Sequence, residues 1–403
     1  MMVTETPVVK LSLISLLLGG FCIGMTEFLM MGVLPDLSKS LNISIPSAGH
    51  LISIYALGVV IGAPLVVGLT SHLPPKKVLI GLMITVAFFN AFFALAPSYP
   101  LLLVTRFLAG LPHGAYFGIG AVVAVKLADP GRAAKSVAVM FAGLTLANII
   151  GVPFGTYIGH HLDWRVSFHL IAAVALLAAG AIQLWLPKLP ASGEQNFKQS
   201  LSIFSKPGLW TIIGISAIGT GGMFAWISYI APLMTEVAGF NANAITLIMV
   251  IAGLGMAFGN FVGGRLADRY SPLMTTIILL SAMIVALLCT ALVVHSQPAA
   301  IVMTFITGAI GFSVIAPMQM LIMQEAGEYK MLASAVLQAT SNIGNALGAF
   351  LGGLPIAAGL GYTSPEYVGA ALALIGLIFC FALMWMRKKE RPLPSQQDYT
   401  IAN

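Results

Sequence analysis

The chain has 403 residues, of which 59% are hydrophobic and only 8% are charged. Soluble domains carry about 25% charged residues, so this composition excludes a large soluble core and indicates a protein that crosses a lipid bilayer many times. The formal net charge of +6 comes from basic residues in short loops, which excludes a nucleic-acid-binding face, and three isolated cysteines exclude a disulfide framework or a zinc site.

Twelve apolar segments of about 20 residues follow one another, and each is long enough for a hydrocarbon core of roughly 30 Å. We place these segments at 10–34, 48–70, 77–96, 99–125, 135–159, 165–187, 208–235, 243–264, 273–294, 298–324, 332–359 and 364–386. The sequence therefore predicts an all-α membrane protein with twelve transmembrane helices.

Nearly all lysines and arginines fall in the loops on one side of these segments, whereas the other side holds Lys39 and Arg165. Because cytoplasmic loops are enriched in basic residues, both termini are predicted to be cytoplasmic. The longest interior loop divides the segments six and six. We predict an N-terminal bundle over 1–187, a cytoplasmic linker over 188–207, a C-terminal bundle over 208–386 and a cytoplasmic tail over 387–403.

The two halves repeat without a gap. At one constant offset, the first half matches the second in several glycines, a proline and an asparagine: Gly24 with Gly221, Pro35 with Pro232, Gly58 with Gly255, Gly62 with Gly259, Gly114 with Gly311, Asn148 with Asn345, Gly151 with Gly348 and Gly155 with Gly352. Two bundles related about the membrane normal are typical of transporters whose substrate site lies between the halves.

Glu27 is the only charge between Lys10 and Leu34, in the middle of the first predicted span. A carboxylate at bilayer depth costs roughly 2.5–3.5 kcal/mol, so it needs a partner, a water-filled cavity or a proton. We interpret Glu27 as a proton-coupling carboxylate in a transport path. The alternative is a protonated or ion-paired residue with a structural role.

Arg106 lies in the fourth span at the same predicted depth as Glu27, about 10–12 Å below the outer surface. We therefore expect the two groups to be coupled directly or through water, unless they form a fixed structural pair. His113 follows two turns deeper beside Pro112, where it could relay protons, bind ligand or serve as a core residue.

The second half has no acid in the middle of a predicted span and offers aromatic and amide side chains instead. The substrate-binding candidates are Trp226, Tyr229, Asn260, Gln319, Gln338, Asn342 and Asn345, with Asn148 as the repeat counterpart of Asn345. Such groups suit a polar or amphiphilic organic ligand, although interhelical hydrogen bonds would explain most of them one by one.

The chain resembles the major facilitator superfamily over essentially all twelve spans. Gly264-Arg-Leu-Ala-Asp-Arg269 is similar to the family's cytoplasmic gating motif, with Asp268 as its acid. The first-half copy keeps the basic pair Lys76 and Lys77 but carries His72 at the acidic position.

Two further stretches add to this resemblance. Leu102-x-x-x-Arg106-x-x-x-Gly110 resembles the helix 4 arginine motif, which the family associates with proton transfer. Gly151-Val-Pro-Phe-Gly155, with Pro153 at its centre, resembles a weakened antiporter motif that packs helices closely. Gly24-Met-Thr-Glu-Phe28 and Pro112-His-Gly114 are similar to the bacterial drug–proton antiporter branch and its arabinose-efflux-permease-like members.

The resemblance implies export of a small organic solute such as a sugar, nucleoside or drug, driven by inward proton flow. It also implies a multi-pass protein of the bacterial inner membrane that is a monomer and needs no cofactor or metal. The rival interpretations are an uptake symporter or facilitator for a small polar solute, and a receptor or regulatory partner that transports nothing. The sequence shows no Ser/His/Asp, metal-ligand or phosphate-loop arrangement that would indicate an enzyme.

Overall fold

Helices account for nearly all of the structure, a computed structural model that describes residues 7–70, 72–129, 133–190, 201–326 and 330–390. The longer helices are α1 (Pro7–Gly32), α2 (Leu34–Leu41), α3 (Ile45–Thr70), α4 (Pro75–Leu95), α5 (Tyr99–Leu127), α6 (Ala133–Leu146), α7 (Val152–His161), α8 (Trp164–Trp185), α9 (Pro207–Gly214), α10 (Gly221–Ser228), α11 (Ala244–Arg269), α12 (Pro272–Val293), α13 (Gln297–Ser313), α14 (Ile315–Ala326), α15 (Lys330–Ala357) and α16 (Ser364–Glu390). Much of the predicted linker and the tail from 391 lie outside the described residues.

Among the described residues, 11 helical segments are long and apolar enough to cross a membrane. The remaining predicted span corresponds to α15, which is 28 residues long but carries Gln338, Asn342, Asn345 and several glycines. These residues lower its hydropathy. An all-α membrane fold is confirmed, while the number twelve and the orientation of the termini stay predictions.

Three predicted spans are interrupted where the sequence disfavours a regular α-helix. Between α6 and α7, a π-helical turn over Ala147–Gly151 lets the N–H of Val152 reach the carbonyl of Ala147. Pro153 lacks an N–H, and its ring would clash with a carbonyl of the preceding turn, so the chain widens there. Pro317 ends α13 at Ser313 for the same reason, and π turns flank α10 at Ile215–Gly219 and Leu233–Val237.

Close helix crossings depend on glycine at a few positions. A Cβ at Gly143 on α6 would strike the carbonyl oxygen of Leu17 on α1, and a Cβ at Gly58 on α3 would strike that of Phe107 on α5. The second half repeats the second crossing, since Gly255 on α11 meets the carbonyl of Phe305 on α13. Small residues permit such backbone approach, which lipid alone does not drive.

The two halves of the chain contact each other along α3 with α15, and along α11 with α7 and the π turn before it. We call the end where α1 finishes and α3 begins the outer end, following the predicted orientation, and the opposite end the inner end. At the outer end, the His50 ring on α3 lies 5.8 Å from that of Phe350 on α15. The position of a Cβ on Gly353 is 3.5 Å from the Cβ of Pro46.

Candidate functional site

Glu27 lies on α1 where the first half meets the second, and only 5% of it is exposed. Its Oε1 accepts a hydrogen bond of 3.1 Å from Nδ2 of Asn345, on α15 in the other half. The buried carboxyl of the first half is therefore hydrogen-bonded to an amide of the second half. Asn345 Oδ1 has no hydrogen-bond partner among the described residues, so this oxygen can still accept a hydrogen bond.

His113 and Tyr55 extend the site away from Glu27. Nε2 of His113 lies 4.0 Å from Glu27 Oε2, and Nδ1 lies 3.0 Å from the hydroxyl of Tyr55. Because Tyr55 is on α3 and His113 on α5, the contact spans the helix pair that the small residues Gly58 and Gly110 hold together. The imidazole thus connects the carboxyl of α1 with the phenol of α3.

Arg106 is fully buried, and its guanidinium is bound mainly by carbonyls and aromatic rings. Nη1 donates to the carbonyl of Thr26 over 3.1 Å, and Nε donates to the carbonyl of Leu51 over 3.4 Å. Its Cζ lies 4.4 Å from the centre of the Tyr55 ring and 5.5 Å from that of Phe93. A desolvated cation over an aromatic face is favourable by about 2 kcal/mol.

Arg106 does not form an ion pair within 4.0 Å with Glu27 among the described residues, so the direct form of the predicted coupling is wrong for this structure. The guanidinium instead binds the carbonyl of Thr26, the residue before Glu27, and stacks on Tyr55. Backbone carbonyls and rings hold the cation in place of a carboxylate, but Nη2 of Arg106 has no hydrogen-bond partner among the described residues.

Tyr55 is the residue of this site that sequence reasoning did not select. It contacts both His113 and Arg106, and 1% of it is exposed. The available signal was its place on the same face of α3 as Gly58 and Gly62, one and two turns before them. A tyrosine in an apolar helix is common enough that this signal does not distinguish a site residue from a core residue.

The amide candidates lie close to the contact between the halves. Asn148 Nδ2 donates to the carbonyl of Leu144 within its own helix, and its backbone carbonyl faces Gly253 of α11. Asn342 Nδ2 donates to the carbonyl of Gln338, and its Oδ1 has no partner in the part of the chain described. Three amides, Asn148, Asn342 and Asn345, are therefore brought near the junction with bonding capacity remaining on two of them.

Trp226 and Tyr229 are packed into the second half and do not face an open cavity. The Tyr229 hydroxyl donates to the carbonyl of Ala349 over 2.7 Å, and its ring presses on Gly49 and Gly353 at the outer end. Trp226 is 0% exposed and its indole N–H has no partner among the described groups. Tyr229 thus contributes to closure of the outer end in this conformation.

Asn260 lines a cavity of about 370 Å³ between α6 and α11, together with Phe141, Thr145 and Leu146. Gln319 and Gln338 are half-buried on α14 and α15. The cavity is partly open, and its lining is mostly apolar with a few polar groups. Asn260 is the one substrate-binding candidate among the residues that line this cavity.

The gating-motif residues lie at the inner end. Lys76 Nζ donates to the carbonyls of Gln183 and Leu186 over 2.8 and 2.6 Å, and so caps the end of α8. Lys77 and Asp268 are exposed, and none of the described residues outside the helix of Gly264 has an atom within 4 Å of a Cβ built on that glycine. The Cζ of Arg269 lies 5.6 Å from the Tyr270 ring.

Gly151, Pro153 and Gly155 line the crossing between α7 and α1. A Cβ at Gly151 would lie 2.6 Å from Cγ of Met25, and one at Gly155 would lie 2.7 Å from Cδ1 of Leu29. Pro153 accompanies the π turn that precedes it. These residues bring α7 against the helix that carries Glu27.

A partly exposed ion pair joins α2 and α7 at the outer end. His160 Nδ1 and Asp36 Oδ1 are 2.8 Å apart. Burial raises the pKa of the Asp36 carboxyl above its ordinary value, and the charge and hydrogen bond of His160 oppose that rise. Searched over the same described residues, no group of three or more His, Cys, Asp or Glu side chains could hold a metal ion.

The Major Facilitator Superfamily model matches residues 16–331. The putative transporter AraJ of Escherichia coli (strain K12) is 37% identical over 386 residues, which cover 95% of this chain and 96% of AraJ. A chloramphenicol resistance protein of Streptomyces lividans is 27% identical, covering 89% of this chain and 92% of its own length. A probable sugar efflux transporter of Helicobacter acinonychis (strain Sheeba) is 28% identical, covering 94% and 97%.

Among solved structures, a bacterial homolog of the human lysosomal transporter Spinster, in an inward-facing and unoccupied conformation, aligns with a TM-score of 0.75 at 17% identity. The alignment covers 97% of this chain and 100% of that one, which shows a shared fold. The family match over most of the chain and the 37% identity to AraJ lead to one conclusion: the chain belongs to the major facilitator superfamily and is a membrane transporter.

Proposed function

We propose that the chain is a proton-coupled exporter of a small organic solute, such as a sugar, nucleoside or drug, in the bacterial cytoplasmic membrane. Among its relatives, one is named for chloramphenicol resistance and another is named a probable sugar efflux transporter, and the second name concerns removal of a solute from the cell. In this proposal, 1–187 and 208–386 are two bundles that rock about a central site, both termini are cytoplasmic, and the protein works as a monomer with the proton gradient as its driving force.

The observation that carries the proposal is the position of Glu27. The carboxyl is buried at the junction of the halves, is bound by Asn345 of the second half, and forms no ion pair with a lysine or arginine among the described residues. A fixed structural carboxylate in an apolar bundle would be expected to have a cationic partner. A carboxyl that must gain and lose a proton cannot have a cationic partner bound permanently.

Protonation of Glu27 would change the contact between the halves. The ionised carboxyl accepts the Asn345 N–H bond, and a charge-assisted hydrogen bond is roughly twice as strong as a neutral one. A proton on Glu27 weakens that bond and leaves the halves freer to separate. His113, 4.0 Å from Oε2, is positioned to pass the proton, and Arg106 is held nearby on Tyr55 as the fixed positive charge.

The solute would bind between the halves, where amide groups retain bonding capacity. Asn148, Asn342 and Asn345 lie along this junction, and Asn260 lines the cavity between α6 and α11. In this scheme Gln319, Gln338, Trp226 and Tyr229 support those contacts from within the second half. The inner-end residues Lys76, Lys77, Gly264, Asp268 and Arg269 would form the gate that closes when the outer end opens.

Proton movement in liposomes tests the proposal. Purified protein would face sugars, nucleosides and lipophilic drugs one class at a time under an imposed pH gradient, as wild type, Glu27→Gln and Glu236→Gln. Glu236 is an exposed carboxylate, so its variant is the matched control. We expect solute-dependent proton flux in the wild type and in the control, and its loss in Glu27→Gln.

Two results would contradict proton-coupled export. Solute flux that changes neither with the pH gradient nor with Glu27→Gln would identify a facilitator. Solute and proton moving in the same direction would identify an uptake symporter. Downhill solute flux that persists in Glu27→Gln after coupled export is lost would assign the carboxyl to coupling and not to solute binding.

A further inference from the structure

A second buried carboxyl lies in the other half of the molecule, at the start of α16. Glu366 is 1% exposed, and its Oε2 has no hydrogen-bond partner among the described residues. Sequence reasoning passed over Glu366 because it is near a helix end, where a carboxylate usually reaches water.

A second buried polar group without a partner among the described residues lies on α10, which packs against α16. It is the indole N–H of Trp226, a residue that is 0% exposed. Unpaired buried polar atoms are uncommon in folded proteins because each costs about 1–3 kcal/mol. Two such atoms on adjoining helices, one of them on a carboxyl, require a physical explanation.

The glycine contacts fix the register between these helices. A Cβ built on Gly222 would lie 2.7 Å from the carbonyl oxygen of Gly369, and one on Gly369 would lie 2.7 Å from that of Gly222. Further in, Gly219 meets Gly376, so α10 and α16 run antiparallel. Trp226 is four residues after Gly222 and Glu366 is three before Gly369, which places both one turn nearer the outer end on facing sides.

The chemistry of the carboxyl and the indole favours a proton over a metal ion. A metal ion would need several oxygen ligands, whereas these two side chains offer one carboxyl, and the indole N–H is a donor that cannot bind a cation. Among the residues described, Glu366 forms no ion pair. A buried carboxylate without a cation is strongly disfavoured, and binding a proton removes the charge.

The other titratable groups around this end of α16 differ from Glu366 in exposure or bonding. Glu236 and His295 are exposed, and Tyr362 is half-buried. Tyr229 already donates its hydroxyl proton to Ala349. Tyr367 on the same helix and Cys289 on α12 complete the set, exposed and half-buried respectively. None of these is a buried cation that would keep the Glu366 carboxylate charged.

We propose that Glu366, on the side of α16 that faces Trp226, is a proton-binding site of the second half, separate from Glu27. The carboxyl is neutral while it is buried. When movement within the second half exposes Oε2 to water, the carboxyl releases its proton and becomes a carboxylate. The proton passes between this oxygen and water, so no further reactant is needed.

Infrared spectroscopy of the purified full-length protein tests this site directly. A neutral buried carboxylic acid has a C=O stretching band that a carboxylate lacks. At neutral pH we expect Glu366→Gln to lose one such band that Glu236→Gln and Glu27→Gln both retain. An unchanged spectrum in Glu366→Gln would overturn the proposal, whatever the fate of the Glu27 experiment.

Tryptophan fluorescence provides a second readout that does not depend on the Glu366 variant folding. Protonation beside an indole changes its emission, so the wild type should show a pH-dependent component from Trp226. Trp226→Phe should abolish that component, and Trp210→Phe should keep it because Trp210 is 56% exposed at a distant position. Retention of the whole component in Trp226→Phe would count against a titrating group at this site.

Discussion

Four side chains from three helices converge around the carboxyl of Glu27, and each has a different role in the arrangement. Asn345 donates to the carboxyl, His113 lies 4.0 Å from it, and Tyr55 joins His113 to the face of the Arg106 guanidinium. Arg106 supplies positive charge near the carboxyl without binding it. A charge that is close but not paired leaves the carboxyl able to exchange a proton.

Tyr55 separates the two roles of this cluster, because its hydroxyl and its ring contact different residues. Tyr55→Phe removes the hydrogen bond to His113 Nδ1 but keeps the ring under Arg106. We expect stability to fall by only about 1–3 kcal/mol, and proton-coupled transport to fall on the order of tenfold. Coupled flux in liposomes and thermal unfolding in detergent measure the two effects.

Tyr55→Ala is the comparison, since it removes the ring as well. Its loss of stability should reach about 3–5 kcal/mol because the buried guanidinium also loses its aromatic partner. If Tyr55→Phe transports like the wild type, the hydroxyl has no part in proton transfer and Tyr55 is a packing residue.

At the scale of helices, glycine positions decide how closely the spans approach. α1 crosses α6 and α7 over Gly20, Gly24, Gly143 and Gly151, where added Cβ atoms would meet backbone or side-chain atoms of the facing helix. The π turn at Ala147–Gly151 lies in the middle of this crossing. The helix that carries Glu27 is thus positioned by small residues and by one local break in a neighbouring helix.

Gly143→Ala tests how tightly this crossing is packed. The new Cβ would overlap the Leu17 carbonyl oxygen and lie 2.7 Å from the Phe21 nitrogen, both backbone atoms that cannot turn aside. We expect a destabilisation of about 1–3 kcal/mol, measured by thermal unfolding in detergent. Gly180→Ala on α8 is the control, because nothing lies within 4 Å of its Cβ, and it should be neutral or stabilising by up to about 1 kcal/mol. Equal stability of the two variants would show that α1 and α6 pack less closely at Gly143 than these distances indicate.

At the scale of the whole molecule, the outer end is closed by contacts between the halves. His50 meets Phe350, Tyr229 presses on Gly49, and Pro46 lies beside Gly353. Nearer the inner end than Glu27, the cavity of about 370 Å³ lies between α6 and α11. Rocking of the halves would have to break the outer contacts in order to admit solute or protons from that end.

A disulfide across the outer end tests whether these contacts must separate. The Cβ of Pro46 and that built on Gly353 are 3.5 Å apart, within the range a disulfide requires. In a variant with Cys22, Cys289 and Cys380 replaced, Pro46→Cys with Gly353→Cys should form the bond under oxidation and stop transport. A reductant should restore the transport rate that the single substitutions show, and each single substitution should transport equally with and without oxidant. Full transport by the cross-linked protein would rule out opening at this end.

The sequence by itself determined the class of protein. Apolar segments of spanning length, the lone charge at Glu27 and the repeated glycines follow from composition and spacing. These features depend on residues close together in the chain, so they can be recognised without a fold.

Only the tertiary structure decided which groups meet. Equal depth suggested Arg106 as the partner of Glu27, but Asn345 binds the carboxyl and Arg106 binds carbonyls and the Tyr55 ring. Depth is a property of one helix, whereas contact also depends on the rotation and crossing of its neighbours. Tyr55 and Glu366 could not be singled out for the same reason: burial and the lack of a bonding partner arise only once helices distant in sequence pack together.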